Sequence, residues 1–521
     1  MSATRDPLAG AADLSTRTGD PGLHRLAAGA LLISFQGTTA PDWVLRGLED
    51  GLGGVCLFGF NVADGEQVAA LTARLNEAAR PVVSLDEEGG DVTRLAYHTG
   101  SVYPGNAALG AVDDVALTER VYRAMAADLA RCGVNFDIGP VADVNTADDN
   151  PIIGTRSFGS SPDLVARHTV AAVRGLQSAG IAACVKHFPG HGATHQDSHL
   201  EIPLVDAPLD VLRERELVPF VAAIEAGAKS IMTAHVAVPE LTGDLPATLS
   251  AQALTWLLRR ELGYDGVVLT DALDMHAISG SVGLAEGAVR ALAAGADLLC
   301  LGPLPTAEDV RGMVDHIVDA VAEGRLAAER LEEAAARVER LRDWFGGTHQ
   351  AAGNGPAGNG PAENGPAENG EVADGEVVGL DAARRAVSLT GSAGPLVDPF
   401  VVEIDTPPTI AVGEVPWGIA PWLPEAEIVR VRPSEADAGE LLGRARERSL
   451  IVVVKDAHRH TDSRELVSAL LAARPDAVVV EMGLPIWRPG AGAYIATYGA
   501  ARANARAAVE LLSGGPTVAG L

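Results

Sequence analysis

Ala183-Cys184-Val185-Lys186-His187-Phe188-Pro189-Gly190-His191-Gly192 is the stretch whose reading decides the fold. An apolar run of strand length meets a lysine and a histidine, then a proline and two glycines that cannot continue as helix. Followed downstream, His187, His191, His195 and His199 fall at intervals of four, a spacing that on a helix would make one stripe suited to a metal. Pro189, Gly190 and Gly192 remove that reading. Residues 186–199 are instead a strand end running into a mobile loop.

The same pattern recurs along the chain. Apolar runs at residues 30–35, 54–58, 81–85, 134–138, 183–186, 230–234, 266–270 and 297–301 read as strands. Segments rich in Ala and Leu at 66–79, 115–131, 163–179, 208–226, 251–262 and 284–294 are long enough to cross over to a parallel neighbour. Eight such repeats predict an α/β fold of the TIM (β/α)8-barrel type. A barrel strand is covered on both faces, so charged residues at its end are poorly explained by packing. They are nonetheless present: Asp86 and Glu87 after the third run, Asp143 and Asn145 after the fourth, Lys186 and His187 at the fifth, His235 at the sixth and Asp271 at the seventh.

Residues 1–22 read as a flexible polar tail and 23–345 as the barrel domain. Near-repeats of Asn-Gly-Pro-Ala make 346–376 a disordered linker, because such a composition buries no core. Residues 377–521 then form a smaller α/β sandwich domain, with strands expected at 409–412, 450–454 and 477–480 and helices at 463–472 and 500–512. The net charge of -29 argues against nucleic acid and anionic membrane partners. Absence of a secretory signal or a membrane-length apolar run favours the cytoplasm. Cys56, Cys132, Cys184 and Cys300 lack paired spacing and read as reduced core residues.

Several consecutive motifs resemble glycoside hydrolase family 3, in its bacterial β-N-acetylhexosaminidase branch. They are Gly53-Gly54-Val55 with Leu57-Phe58 and Asn61; Leu85-Asp86-Glu87-Glu88-Gly89-Gly90; Asn150-Pro151 with residues 154–159; residues 186–192; Asp197-Ser198-His199; residues 246–250; and Thr270-Asp271-Ala272-Leu273-Asp274-Met275. The resemblance implies a retaining exo-β-N-acetylglucosaminidase acting on cell-wall-derived or chitin-like saccharides, as in peptidoglycan recycling, with no cofactor and no metal. It implies Asp271 as nucleophile, His199 as general acid/base and Asp197 as the group that orients His199. Asp86, Arg156, Lys186, His187, His235 and Met275 match sugar-binding positions, His235 reading equally as a satisfied core histidine, and His191 matches a loop support. Only three lysines occur, at 186, 229 and 455, in a chain that otherwise uses arginine, so Lys186 reads as a specific contact.

The chain departs from the family pattern at Glu87 and Asp91, which add negative charge near the expected mouth and weaken the case for an anionic muramic acid leaving group. A histidine acid/base would not repel phosphate, so a phosphorylase using inorganic phosphate is the alternative within the class. Outside it stand a metal-dependent amidohydrolase, which would need a His-x-His pair where Phe35-Gln36-Gly37 stands, and a non-catalytic sugar-binding protein.

Overall fold

The structure, a computed structural model, describes residues 20–196, 202–351 and 374–514. Asp197, His199, nearly all of the expected N-terminal tail and most of the expected linker lie outside these residues. Helices Ala328–Ala351 and Gly375–Ala386 take up the first and last residues of the 346–376 segment.

Eight short strands form one parallel sheet: β1 (Leu31–Ile33), β2 (Gly54–Cys56), β3 (Val82–Leu85), β4 (Phe136–Asp137), β5 (Ala182–Phe188), β6 (Ser230–Thr233), β7 (Val267–Thr270) and β8 (Leu299–Cys300). β1 pairs with both β2 and β8, and a bridge from Leu269 to Leu298 brings β7 to β8, closing the barrel. Period-two alternation divides each strand between two cores. Leu31, Ile33, Val83, Ala183, Val185 and Val268 pack outward in the large core shared with the surrounding helices. Leu32, Val82, Phe136, Ala182, Cys184, Val267 and Leu269 belong to a separate inner cluster.

That inner cluster also contains Val338, Leu341 and Phe345 from the helix Ala328–Ala351, which therefore covers one end of the barrel. Below it the fully buried Asp297 carboxylate pairs with Arg259, Arg330 and Arg337. With that end sealed, a ligand must enter at the carboxyl ends of the strands. Continuing each strand's alternation, Asp86 follows Val82 and Ser84, Lys186 follows Ala182 and Cys184, and Asp271 follows Val267 and Leu269. All three are thereby set on the inward side of that open end.

The second sheet has the order β11-β10-β12-β13-β14-β9 and is parallel except for its last pair. Its strands are β9 (Ser388–Gly391), β10 (Phe400–Ile404), β11 (Glu427–Val431), β12 (Leu450–Val454), β13 (Val478–Glu481) and β14 (Ala493–Ala496). The strand expected at 409–412 is a turn. Pro407 and Pro408 immediately before it lack backbone donors, and the carbonyls of Ala411 and Val412 accept hydrogen bonds from Arg94 of the barrel. The strand in this region is β10, just upstream.

The two domains are joined over the barrel mouth. Asp91 is the centre of the junction: its carboxylate accepts from the Ala500 backbone N–H at 2.7 Å and from Thr155 Oγ1 at 3.0 Å, and pairs with Lys455 at 3.2 Å. The Tyr97 hydroxyl accepts from the Glu414 N–H, and His458 Nε2 donates to the Asp148 carbonyl. Removing the Asp91 carboxylate leaves Lys455 and the Ala500 N–H without their partner in a buried place. Asp91→Ala is therefore expected to cost about 3–5 kcal/mol, seen by calorimetry as a lower and less cooperative unfolding transition. A variant with the native transition would show that the junction is not held there.

Candidate active site

β5 delivers Lys186 into the barrel mouth, where its ammonium lies 2.7 Å from Asp86 Oδ1 and 2.6 Å from Glu88 Oε1. The side chain is only 2% exposed. Arg156, on the loop after β4, meets the same Glu88 with both prongs of its guanidinium, at 2.8 and 2.9 Å. Burial alone would favour neutral groups, but Arg156 and Lys186 outweigh it and hold Glu88 far below the usual carboxylate range. Reciprocally, Asp86 and Glu88 overcome burial to raise the Lys186 ammonium. The result is two cations and two carboxylates in one buried cluster, with Asp86 as its most exposed member.

A second cluster stands beside it. His187 Nδ1 bonds to Asp143 Oδ2 at 2.7 Å, which sends its Nε2 toward Arg156, 3.5 Å from Nη2. Asp143 Oδ1 accepts the His191 backbone N–H at 2.7 Å. Despite burial, the two histidines hold Asp143 below its ordinary range. His191 bonds Thr194 Oγ1 at 2.7 Å, and burial pushes its imidazole down to about 4, so the ring is neutral at pH 7. Its contacts lie within the loop after β5. Gly192 is required here because a Cβ would lie 2.0 Å from the Val144 carbonyl oxygen, against which the loop packs. Asn150 ties the same loop through the His191 carbonyl, and His195 reaches out to Asp149 at 2.6 Å on the surface.

Asp271 follows β7 and is half-buried, with its Oδ1 accepting the Ala272 N–H at 2.8 Å. Its charge also bears on His191, which sets it on the same side of the mouth. His235 takes the place of a satisfied core histidine. It is wholly buried, with Nε2 2.9 Å from the Ala272 carbonyl oxygen and Nδ1 2.8 Å from Thr248 Oγ1. Nε2 holds the turn that carries Asp271, and Nδ1 meets Thr248, which is itself bonded to Thr233 Oγ1 and the Ala234 carbonyl. Met275 is nearly buried and closes that turn, its N–H donating to the Ala272 carbonyl.

The charges at Glu87 and Asp91 do not lie free at the mouth. Asp91 is neutralised by Lys455, and Glu87 is buried, accepting from Thr93 Oγ1 and the N–H groups of Arg94 and Leu95. Glu88, to which sequence reasoning assigns no role, joins Lys186 to Arg156. Its only signal was the Asp86-Glu87-Glu88 triplet at a strand end. Among the described residues no group of three His, Cys, Asp or Glu is arranged to hold a metal ion.

A sequence model of the "Glycosyl hydrolase family 3 N terminal domain" matches residues 39–341. The chain is similar to Beta-hexosaminidase A of Pseudoalteromonas piscicida, with 34% identity over 318 residues, taking in 56% of this chain but only about half, 53%, of that protein. It is also similar to the Beta-hexosaminidase of Stenotrophomonas maltophilia (strain K279a), 39% identical over 280 residues, which are 52% of this chain and 82% of the relative. Among solved structures, a glycoside hydrolase family 3 beta-N-acetylglucosaminidase from Paenibacillus sp. str. FPU-7 superposes with a TM-score of 0.83 at 32% identity, covering 94% of this chain and 96% of the other.

Glu88→Gln removes the carboxylate that Lys186 and Arg156 share and is expected to destabilise by about 3–5 kcal/mol in urea unfolding. Adding Lys186→Met should recover part of that loss, and strict additivity would show that the two do not act as a pair. Glu87 provides a pH test. Burial lifts its carboxyl from 4.5 to about 7, so the folded protein keeps a proton that the unfolded chain releases. Its contribution to stability is full below about 4.5 and is lost as pH rises through 7, about 3 kcal/mol in all. Glu87→Gln can accept the same three donors, so its melting temperature should fall less than the native protein's between about pH 5 and pH 8; parallel curves would assign the slope elsewhere.

Proposed function

The chain belongs to glycosyl hydrolase family 3 and is a glycosidase of the β-hexosaminidase type; we propose that it is a retaining exo-β-N-acetylglucosaminidase with Asp271 as nucleophile. The observation that carries this reading is the half-buried Asp271 carboxylate at the same open barrel end as the buried Lys186–Asp86–Glu88–Arg156 cluster, the other end being sealed. A terminal sugar is gripped through its hydroxyls by this cluster, chiefly by Asp86, whose orientation Lys186 fixes. His187, aimed by Asp143, and Arg156 complete the polar floor.

Asp271 attacks the anomeric carbon, forming a glycosyl ester as the bond to the leaving oxygen breaks. The leaving oxygen takes its proton from His199, which Asp197 holds in the required tautomer; His199 then removes a proton from water, whose oxygen displaces Asp271. These two residues enter by their motif position. His235 and Thr248 act at one remove, keeping the turn that presents Asp271. Water is the acceptor in this reading, and phosphate the competing one.

Asp271→Ala is expected to lower kcat/KM on an aryl β-N-acetylglucosaminide by about 10³-fold or more, with little change in unfolding temperature. Full activity in that variant would overturn the assignment. Product analysis with and without phosphate decides the acceptor: free N-acetylglucosamine in both supports hydrolysis, whereas its 1-phosphate in the presence of phosphate makes the protein a phosphorylase.

A further inference from the structure

β4 has only two residues in register with β3, Phe136 opposite Ser84 and Asp137 opposite Leu85. Side chains lengthen the contact at both ends. Asn135 Oδ1 accepts the Val83 N–H at 2.9 Å before the paired residues, and Asp137 Oδ1 accepts the Glu87 N–H at 3.0 Å after them. Past the bond from the Ile138 N–H to the Leu85 carbonyl, the backbone turns to β5, where the Gly139 and Pro140 carbonyls accept from Cys184 and Lys186. The Asp137 side chain therefore continues a ladder that its own backbone has left.

Asp137 is wholly buried, and Gly139 makes room for it, since a Cβ there would lie 3.1 Å from Asp137 Oδ2. Oδ2 has no hydrogen-bond partner among the described residues. Burial lifts the carboxyl well above its ordinary range, with the charges of Glu87 and Asp86 adding to the effect and the Glu87 N–H and Lys186 opposing it. A neutral carboxyl still offers an acceptor oxygen, so the bond to Glu87 needs no charge. What it holds is the residue between two site carboxylates. Glu87 is fixed twice, its N–H by Asp137 and its side chain by Thr93 Oγ1 and the N–H groups of Arg94 and Leu95. On either side of it, Asp86 and Glu88 meet the one Lys186 ammonium at 2.7 and 2.6 Å. Residues two apart share a side in strand-like backbone, and a turn at Glu87 would part them.

We propose that Asp137 is a positioning residue for the glycosidase reaction: by holding the Glu87 N–H it aims Asp86 at the terminal sugar. The inference rests on the glycosidase reading for its ligand but not for the hydrogen bond that it uses. Phe136 and Ile138, which flank Asp137, both belong to the inner cluster, so alternation turns the Asp137 side chain away from the barrel interior. It acts through Asp86 rather than on the sugar itself.

The test measures kcat/KM on an aryl β-N-acetylglucosaminide, and inhibition by N-acetylglucosamine, in Asp137→Ala and Asp137→Asn well below the unfolding transition. Asp137→Ala is expected to lower kcat/KM about tenfold and to raise the inhibition constant by a similar factor, whereas Asp137→Asn, which keeps an acceptor oxygen, stays within about threefold of the native protein. A purely structural role would lower the unfolding temperature and leave both constants of the folded enzyme in place. That result, or equal losses in the two variants, would overturn the proposal. In an Asp86→Ala background the further change Asp137→Ala should cost less than about threefold, because the group it aims is gone; a full tenfold loss there would count against it. Hydrogen exchange at the Glu87 amide needs no disruptive variant. Protection equal to that of the strand amides is expected in the native protein and in Asp137→Asn, and exchange at the rate of an exposed amide would overturn the proposal. Failure of the native protein to cleave the aryl substrate or to bind N-acetylglucosamine would instead strike the glycosidase reading.

Discussion

A lysine ammonium almost out of reach of water is tolerable only where carboxylates meet it at hydrogen-bond distance, because a lone buried charge costs far more than one side chain can otherwise recover. Lys186 satisfies that condition through Asp86 and Glu88, and Glu88 in turn is shared with Arg156. The groups come from the loop after β3, the end of β5 and the loop after β4. For all of them to be paired, those three segments must converge within a few ångströms at the barrel mouth. The cluster therefore shapes the site as well as lining it. It also explains why arginine and lysine divide the work: the guanidinium takes both oxygens of one carboxylate, while the compact ammonium bridges two.

The second domain is tied to the same region. Arg94, which approaches Asp86 at 3.7 Å, donates to carbonyls of the second domain, and Asp91, three residues earlier, receives the Ala500 N–H and Lys455. The loop after β3 thus faces two ways, inward to the Asp86 carboxylate and outward to the neighbouring domain. On the other side, Asp148 accepts from His458, Asp149 meets His195, and Asn150 ties the loop after β5. Because both loops are held at once, the arrangement of the mouth depends on the contact between the domains.

Much of the architecture was legible because its signals are local. Alternating apolar runs and crossover helices, a lysine ending one strand and an aspartate following another, and the Pro189, Gly190 and Gly192 break all follow from period and backbone chemistry. What misled was equally local: residues 409–412 are as apolar as a strand, yet two prolines and the pull of Arg94 make them a turn. His235 stands at a strand end like its neighbours, and nothing in its surroundings in sequence announces that both its nitrogens are occupied.

The sequence by itself determined the barrel, its active end and the residue types gathered there, since strand period and inward parity follow from covalent geometry. Only the tertiary structure decided which charges answer which. Lys186 finds Asp86 across 100 positions, Arg156 finds Glu88 across 68, and Asp91 finds Ala500 across 409. Whether a carboxylate is a mouth charge, a clamp or an interdomain staple depends on burial and on partners brought near by folding, and these distances do not exist until the chain is closed on itself.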